Sequence, residues 1–216
     1  HAGYPFSGST AAEVYARLRN RQADIERVVL LGPDHRVGFP GIAAPNAAYF
    51  ETPLGHIAVD WAGLQPLLER GLIEVFGAAH AQEHSLEVHL PFLQTLLPSF
   101  RLIPLVVGQI RPTQVAEVLK YLWGDAETLI VISSDLSHFH PHGEAQRIDQ
   151  ATSRAIVDLR EEAIGPQEAC GAIPVRGLLQ VVREHGMQGQ CIALRNSGDT
   201  AGPRERVVGY GAYVFH

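Results

Sequence analysis

Short apolar runs alternate along this chain with stretches in which apolar residues recur every three or four positions. The apolar runs predict strands at 27–31, 73–76, 102–107, 128–132, 190–194 and 206–215. The stretches with helical periodicity predict helices at 61–70, 112–122, 144–159 and 174–185. Repeated strand–helix alternation predicts an α/β fold, with a mostly parallel central sheet flanked by helices.

The remaining segments have less regular patterns. Thr10-Ala11-Ala12-Glu13 fits a capping box and predicts a helix from Thr10 to about Asn20, after a glycine-punctuated loop over 1–8. Leucines at helical spacing predict a helix from Ser85 to Leu97, which Pro91 should kink or restart. The alternation over 206–215 is typical of an antiparallel strand at the edge of a sheet.

Composition and charge narrow the function classes. The 216 residues predict a single domain over 1–216, and a strand before His1 is expected to be missing from it. The net charge is −6 and the 17 Lys and Arg residues are scattered, which argues against nucleic acid as a partner. No apolar run approaches the roughly 20 residues of a membrane span. Two cysteines are too few for a disulfide framework, so a cytoplasmic location is expected.

Histidine and aspartate directly follow two of the predicted strands. His35 closes the run Gly-Pro-Asp-His after strand 27–31, while Asp135 and His138 lie in Ser-Ser-Asp-Leu-Ser-His after strand 128–132. Ligands of open α/β sheets bind beyond the carboxyl ends of the strands, so these runs predict a metal or acid–base site. The alternatives are a His35 ring bonded to a backbone carbonyl and an Asp135 that caps a turn.

The segment 83–89, Glu-His-Ser-Leu-Glu-Val-His, superficially resembles a helical zinc motif. Its two histidines, His84 and His89, are five positions apart and do not share a helix face, which disfavours a zinc protease. Glu83 and His84 are instead expected to line a pocket; the alternative is a helix start that Ser85 caps. Tyr4, in the loop over 1–8, is expected to form part of a pocket wall.

Cys170 precedes the helix predicted at 174–185. A helix N-terminus favours the thiolate, which is both a nucleophile and a metal ligand; the alternative is an inert, buried cysteine. No glycine-rich phosphate loop is present, so no nucleotide cofactor is expected.

Seven motifs appear in an order that covers nearly the whole chain. They are His-Ala-Gly-Tyr-x-x-Ser-Gly (1–8), Leu-Gly-Pro-x-His (31–35), Thr-Pro-Leu-Gly (52–55), Glu-His-Ser-Leu-Glu-x-His-Leu-Pro-Phe (83–92), Ser-Ser-Asp-Leu-Ser-His (133–138), Ala-Cys-Gly (169–171) and Val-Val-Gly-Tyr (207–210). In these motifs the chain resembles the Memo family (mediator of ErbB2-driven cell motility), whose prokaryotic members are called AmmeMemoRadiSam system protein B.

The resemblance implies a fold similar to that of the class III extradiol dioxygenases, a three-layer α/β sandwich. It places metal ligands at His1, His35 and Cys170, where the dioxygenases hold iron with two histidines and one glutamate. A thiolate at the third position is softer than a carboxylate and shifts the preference towards iron, copper or zinc. The resemblance also places an acid–base histidine at His138, with Asp135 close to the metal.

The function implied is redox or dioxygen chemistry at an iron or copper ion, on an unidentified small substrate. AMMECR1-type and radical-SAM proteins are the partners implied, and the composition also suits a homo-oligomer. Two alternatives stay open at this point. One is a non-catalytic module that binds a peptide or phosphopeptide in the same pocket, and the other is a metal-assisted hydrolase.

Overall fold

The computed structural model describes all 216 residues. Ten strands are formed: β1 Arg27–Pro33, β2 Ile42–Ala44, β3 Tyr49–Thr52, β4 Gly55–Ala58, β5 Glu74–Val75, β6 Arg101–Val107, β7 Thr128–Ile132, β8 His138–His140, β9 Gly189–Asn196 and β10 Val207–Phe215. The α-helices are α1 Tyr4–Tyr15, α2 Trp61–Glu69, α3 Gly77–Ala81, α4 His84–Glu87, α5 Leu90–Leu96, α6 Pro112–Leu122, α7 His142–Val157 and α8 Ala172–Glu184. None of them combines the length and the hydropathy that a bilayer crossing requires.

The main sheet has five strands in the order β5-β2-β6-β1-β7. β1 lies between two parallel neighbours, with Val28 opposite Leu102 of β6 and Leu129 of β7. The pairing of β2 with β6 is the one antiparallel pairing in this sheet, and β5 is parallel to β2. The mostly parallel sheet predicted from the sequence is confirmed, and the carboxyl ends of β1, β6 and β7 meet at one edge.

Both faces of this sheet are covered, which explains why its strands are continuous apolar runs. On one face, Val29 and Leu31 of β1 pack into a core with residues of α2, α6 and α8. On the other face, Val28 and Leu30 pack against residues of α1 and α5. Helices on both sides of a central sheet give the three layers that the family resemblance implies.

The C-terminal strand differs from its prediction. β10 is the central strand of a second, three-stranded sheet of order β8-β10-β9, and it is antiparallel to both neighbours. The alternation of the segment correctly indicates an antiparallel strand with one buried face. It does not indicate which strands pair with it, and the prediction of an edge strand is wrong.

The first helix also differs from its prediction. α1 begins at Tyr4 rather than at Thr10, with Pro5 in its first turn, where the missing N–H of proline is tolerated. Thr10 is buried inside this helix, and its hydroxyl caps nothing. The predicted break near Pro91 is confirmed, because α4 ends at Glu87 and Pro91 lies in the first turn of α5.

Gly32 allows the start of α4 to lie directly on the end of β1. A Cβ at this position would lie 2.5 Å from Ser85 Oγ and 2.8 Å from Leu86 Cδ2, both in α4. We therefore expect Gly32→Ala to lower the free energy of unfolding by about 1–3 kcal/mol, as other overpacked cores do. Urea denaturation measures this change.

Gly143→Ala is the matched control, because a Cβ on Gly143 in α7 meets nothing within 4 Å. Alanine should leave the stability there unchanged or slightly higher, since it is the better helix former. Equal urea midpoints for the two variants would show that α4 does not depend on its contact with β1.

Candidate metal centre

Three histidines from distant parts of the chain converge at the carboxyl edge of the main sheet. His1 precedes α1, His35 follows β1, and His84 is the first residue of α4. One ring nitrogen from each lies within 4.8 Å of the others. The ring centroids are 5.1 Å apart for His1 and His35, 5.5 Å for His1 and His84, and 5.2 Å for His35 and His84. This cluster could hold a metal ion.

Cys170 lies against the same cluster. Its Sγ is 3.4 Å from His1 Nε2, and it accepts a hydrogen bond of 3.2 Å from the backbone N–H of Asp135. A sulfur and a nitrogen bound to one tetrahedral metal ion are about 3.5 Å apart, given their usual bond lengths of about 2.3 and 2.0 Å. The distance between Cys170 and His1 therefore fits shared coordination of one ion.

In both predicted histidine ligands, Nδ1 lies within hydrogen-bond distance of a neighbouring side chain. His1 Nδ1 is 2.7 Å from Ser133 Oγ, and His35 Nδ1 is 2.9 Å from Glu83 Oε1. Such contacts fix the orientation of a metal-binding imidazole and leave its other nitrogen available for the ion. Nε2 of His1 and Nε2 of His35 are thus the donors that this arrangement offers to a metal.

Glu83 organises the site rather than merely lining it. It is buried and caps α4, and its carboxylate accepts hydrogen bonds from the backbone N–H groups of Ser85 and His35 as well as from the His35 ring. Burial alone would raise the pKa of Glu83, but these hydrogen bonds lower it to about 2. Its Oε1 is also 3.6 Å from His84 Nδ1, so one carboxylate faces two of the three histidines.

Asp135 reaches the cluster through the main chain of His1. Its carboxylate is buried, and Oδ1 accepts a hydrogen bond of 2.7 Å from the His1 backbone nitrogen. Asp135 therefore holds the segment that carries His1, while its own N–H orients the sulfur of Cys170.

Two predicted site residues form their side-chain contacts outside the cluster. His138 begins β8, and its ring packs against Phe139 with centroids 5.6 Å apart. Tyr4 is 48 % exposed on α1; its hydroxyl donates to the Val88 carbonyl at 3.2 Å. The acid–base role of His138 and the pocket-lining role of Tyr4 stay predictions.

Sequence reasoning missed two contributors and underrated a third. His84 was expected to line the pocket, and it supplies a third nitrogen to the cluster. Ser133 contacts both His1 and His89, and neither contact was predicted. His84 and His89 do not belong to one continuous helix, because α4 ends at Glu87, so the structure gives the two histidines no shared helix face either.

The contacts of His35 with Cys170 and Glu83 give the metal-free protein a stability that depends on pH. Cys170 and Glu83 raise the pKa of His35 to about 10 in the folded chain, from 6.5. A raised pKa contributes stability that is fully present below pH 6.5 and is lost as the pH rises through 10. We expect the urea midpoint of the metal-free protein to fall across this interval.

His35→Gln should remove this fall between pH 6.5 and 10, whereas the control variant His56→Gln should retain it, because His56 lies on the exposed β3–β4 hairpin. Parallel pH profiles for His35→Gln and the unmodified chain would contradict the assignment.

On the acid side, the lowered pKa of Glu83 contributes stability above pH 4.5 that is lost as the pH falls through about 2.

Comparisons with known proteins agree with this architecture. The family model described as Memo-like protein matches residues 1–214. A MEMO1 family protein of Ignicoccus hospitalis is 36% identical over 233 residues, covering 100% of this chain and 80% of its own length. A MEMO1 family protein of Aquifex aeolicus is 34% identical over 230 residues, covering 100% of this chain and 83% of its own length.

A solved structure shares the fold at low sequence identity. The crystal structure of an uncharacterized protein from Escherichia coli K12 is similar with a TM-score of 0.57 and 12% identity, covering 93% of this chain and 92% of that one. The family match over 214 residues, together with relatives more than 30% identical, decides the relationship. This chain therefore belongs to the Memo family.

Proposed function

We propose that this chain is a metal-dependent oxidoreductase that binds iron or copper and carries out redox or dioxygen chemistry on a small substrate. The observation that supports it most directly is the convergence of His1, His35 and His84, whose ring nitrogens lie within 4.8 Å of one another. Cys170 lies beside this cluster, with its Sγ 3.4 Å from His1 Nε2.

The donor set suits a redox metal better than a hard cation. Imidazole nitrogens and a thiolate are ligands of iron, copper and zinc, whereas magnesium and calcium prefer oxygen ligands. Bound there, iron or copper would supply Lewis-acid and one-electron chemistry. Glu83 and Ser133 would keep the rings of His35 and His1 in the binding orientation.

The site is open to a small ligand on one side. The His35 and His84 side chains are 27% and 41% exposed, whereas Glu83 behind them is almost wholly buried. A substrate can therefore approach from the side of these two rings, while the buried carboxylate stays out of reach. His138 would be the group that moves a proton on this substrate, as the family resemblance implies.

The metal content of untagged protein, purified without chelators and without oxygen, tests the proposal. We expect close to one iron or copper ion per chain, and oxygen uptake when a catechol is added. The control variant His56→Ala, on the exposed hairpin, should retain both properties. Zinc with no oxygen uptake would favour a hydrolase, and a phosphopeptide that binds in the absence of any metal would favour a recognition module. Either result would overturn the oxidoreductase.

A further inference from the structure

A chain of hydrogen bonds leads from the candidate metal centre into the protein core. His1 Nδ1 contacts Ser133 Oγ at 2.7 Å, Ser133 Oγ contacts His89 Nε2 at 3.0 Å, and His89 Nδ1 contacts Tyr15 Oη at 2.8 Å. Ser133 is fully buried and Tyr15 is 5% exposed. The chain ends in the core at Tyr15, so it does not connect the centre with solvent.

The Ser133 hydroxyl can donate a hydrogen bond to only one of the two imidazoles at a time. A serine hydroxyl has one hydrogen to donate, and it accepts with its lone pairs. Its two side-chain partners are His1 and His89. When it donates to one ring it accepts from the other, and any other arrangement leaves a buried hydrogen-bonding group without a partner, which costs free energy.

This constraint ties the ring protons of the two histidines together. If Ser133 donates to His89 Nε2, it accepts from His1 Nδ1–H, and His89 carries its own proton on Nδ1, where it donates to Tyr15 Oη; the Tyr15 hydroxyl hydrogen then loses His89 as its acceptor. If Ser133 donates to His1 Nδ1, both rings carry their proton on Nε2. Both neutral rings therefore have the same tautomer. Only the first arrangement leaves His1 Nε2 free for a metal ion.

We propose that His89 is a positioning residue that acts on His1 through Ser133 and sets which ring nitrogen of His1 carries the proton. The proposal rests on the proposed metal site, because its consequence is the release of His1 Nε2 for the ion. His89 has to be neutral for this role, since a doubly protonated ring could not accept from Ser133. Burial lowers the pKa of His89 to about 3, which is consistent with that requirement.

The test that does not depend on metal is NMR of the full chain labelled with ¹⁵N-histidine, since long-range proton–nitrogen correlations report the tautomer of each ring. In the metal-free protein at pH 7 we expect His1 and His89 to have the same tautomer. In Ser133→Ala we expect the His1 ring to lose this preference and populate both tautomers, while His89 keeps a single one. Opposite tautomers on the two rings of the unmodified chain would overturn the proposal.

Zinc, which is diamagnetic, supplies the second test. With zinc bound, both rings should carry their proton on Nδ1. Ser133→Ala and His89→Leu should bind zinc about 10–100-fold more weakly, the loss seen when the group behind a metal-bound histidine is removed. His89→Gln should recover most of the affinity, because the amide offers one acceptor to Ser133 and one donor to Tyr15.

Leu93→Ala is the matched control for lost stability. Leu93 is fully buried in the same core as Tyr15 but lies outside the hydrogen-bond chain, so this variant should unfold more easily and still bind zinc normally. If Leu93→Ala loses as much affinity as His89→Leu, the effect of His89 is only structural and the proposal fails. If the unmodified chain binds no metal at all, the proposed function fails, while the tautomers of the metal-free protein still decide whether His89 sets the His1 proton.

Discussion

Replacing His35 with alanine is expected to abolish stoichiometric metal binding. His35 follows β1 and contributes one of the three nitrogens that lie within 4.8 Å of one another, so its loss leaves an incomplete donor set. The loss of affinity should exceed the roughly 10–100-fold typical of removing a group that only orients a metal-bound histidine. Calorimetry with zinc and metal analysis of the purified variant both measure it.

Two further variants separate the remaining donors of the centre. Cys170→Ser should weaken copper(I) more than zinc, because it exchanges a soft thiolate for a hard hydroxyl. His84→Ala should have a smaller effect than His35→Ala if Cys170 completes the set, and an equal effect if His84 does. The control is His56→Ala, a change of an exposed histidine on the β3–β4 hairpin. Normal binding by His35→Ala would refute a metal centre built on this cluster.

The main sheet could be predicted because its strands are buried on both faces. The run 28–31 contains no polar residue, since Val28 and Leu30 enter one core while Val29 and Leu31 enter the other. Such a run indicates a parallel strand covered by helices on both sides. The predicted bounds of α6 and β7 agree with those observed, 112–122 and 128–132.

The second sheet could not be predicted in the same way. β10 alternates between its two faces, and this pattern is the same for an edge strand and for a central strand of an antiparallel sheet. Its pairing with β8 and β9 depends on where the rest of the chain leaves those strands. At the other terminus, the capping-box pattern predicts a helix start at Thr10, but the helix begins six residues earlier, at Tyr4. Pro5 favours this earlier start, because the φ angle of proline is already helical.

The candidate site was only partly accessible from sequence. The carboxyl ends of β1 and β7 locate His35 and Asp135, because neighbouring parallel strands end at the same edge of the sheet. The placement of His1 and Cys170 at one metal came from the family resemblance, since residues 169 positions apart have no local pattern in common. The roles of Ser133 and His89 depend on hydrogen bonds across 132 and 44 positions, which no periodicity encodes.

Replacing Glu83 with alanine is expected to weaken both the fold and the metal site. The buried carboxylate accepts from the His35 ring and from the backbone N–H groups of His35 and Ser85, at 2.7–2.9 Å. Without it these donors lose their acceptor at a cost of about 1–3 kcal/mol each, so we expect the free energy of unfolding to fall by about 3–5 kcal/mol. Metal affinity should fall about 10–100-fold, because the His35 ring is no longer oriented.

Glu87→Ala is the control for this change, because Glu87 is an exposed carboxylate at the other end of the same short helix. Its removal should alter neither the urea midpoint nor the zinc affinity by a measurable amount. The stability and zinc affinity of Glu83→Gln should lie between those of Glu83→Ala and Glu87→Ala. The glutamine amide keeps one acceptor oxygen, but its NH₂ group faces N–H groups that are also donors. If Glu83→Ala and Glu87→Ala unfold at the same urea concentration and bind zinc equally well, Glu83 does not organise the site. The convergence of His35 and His84 would then have to come from the packing of α4 on β1 alone.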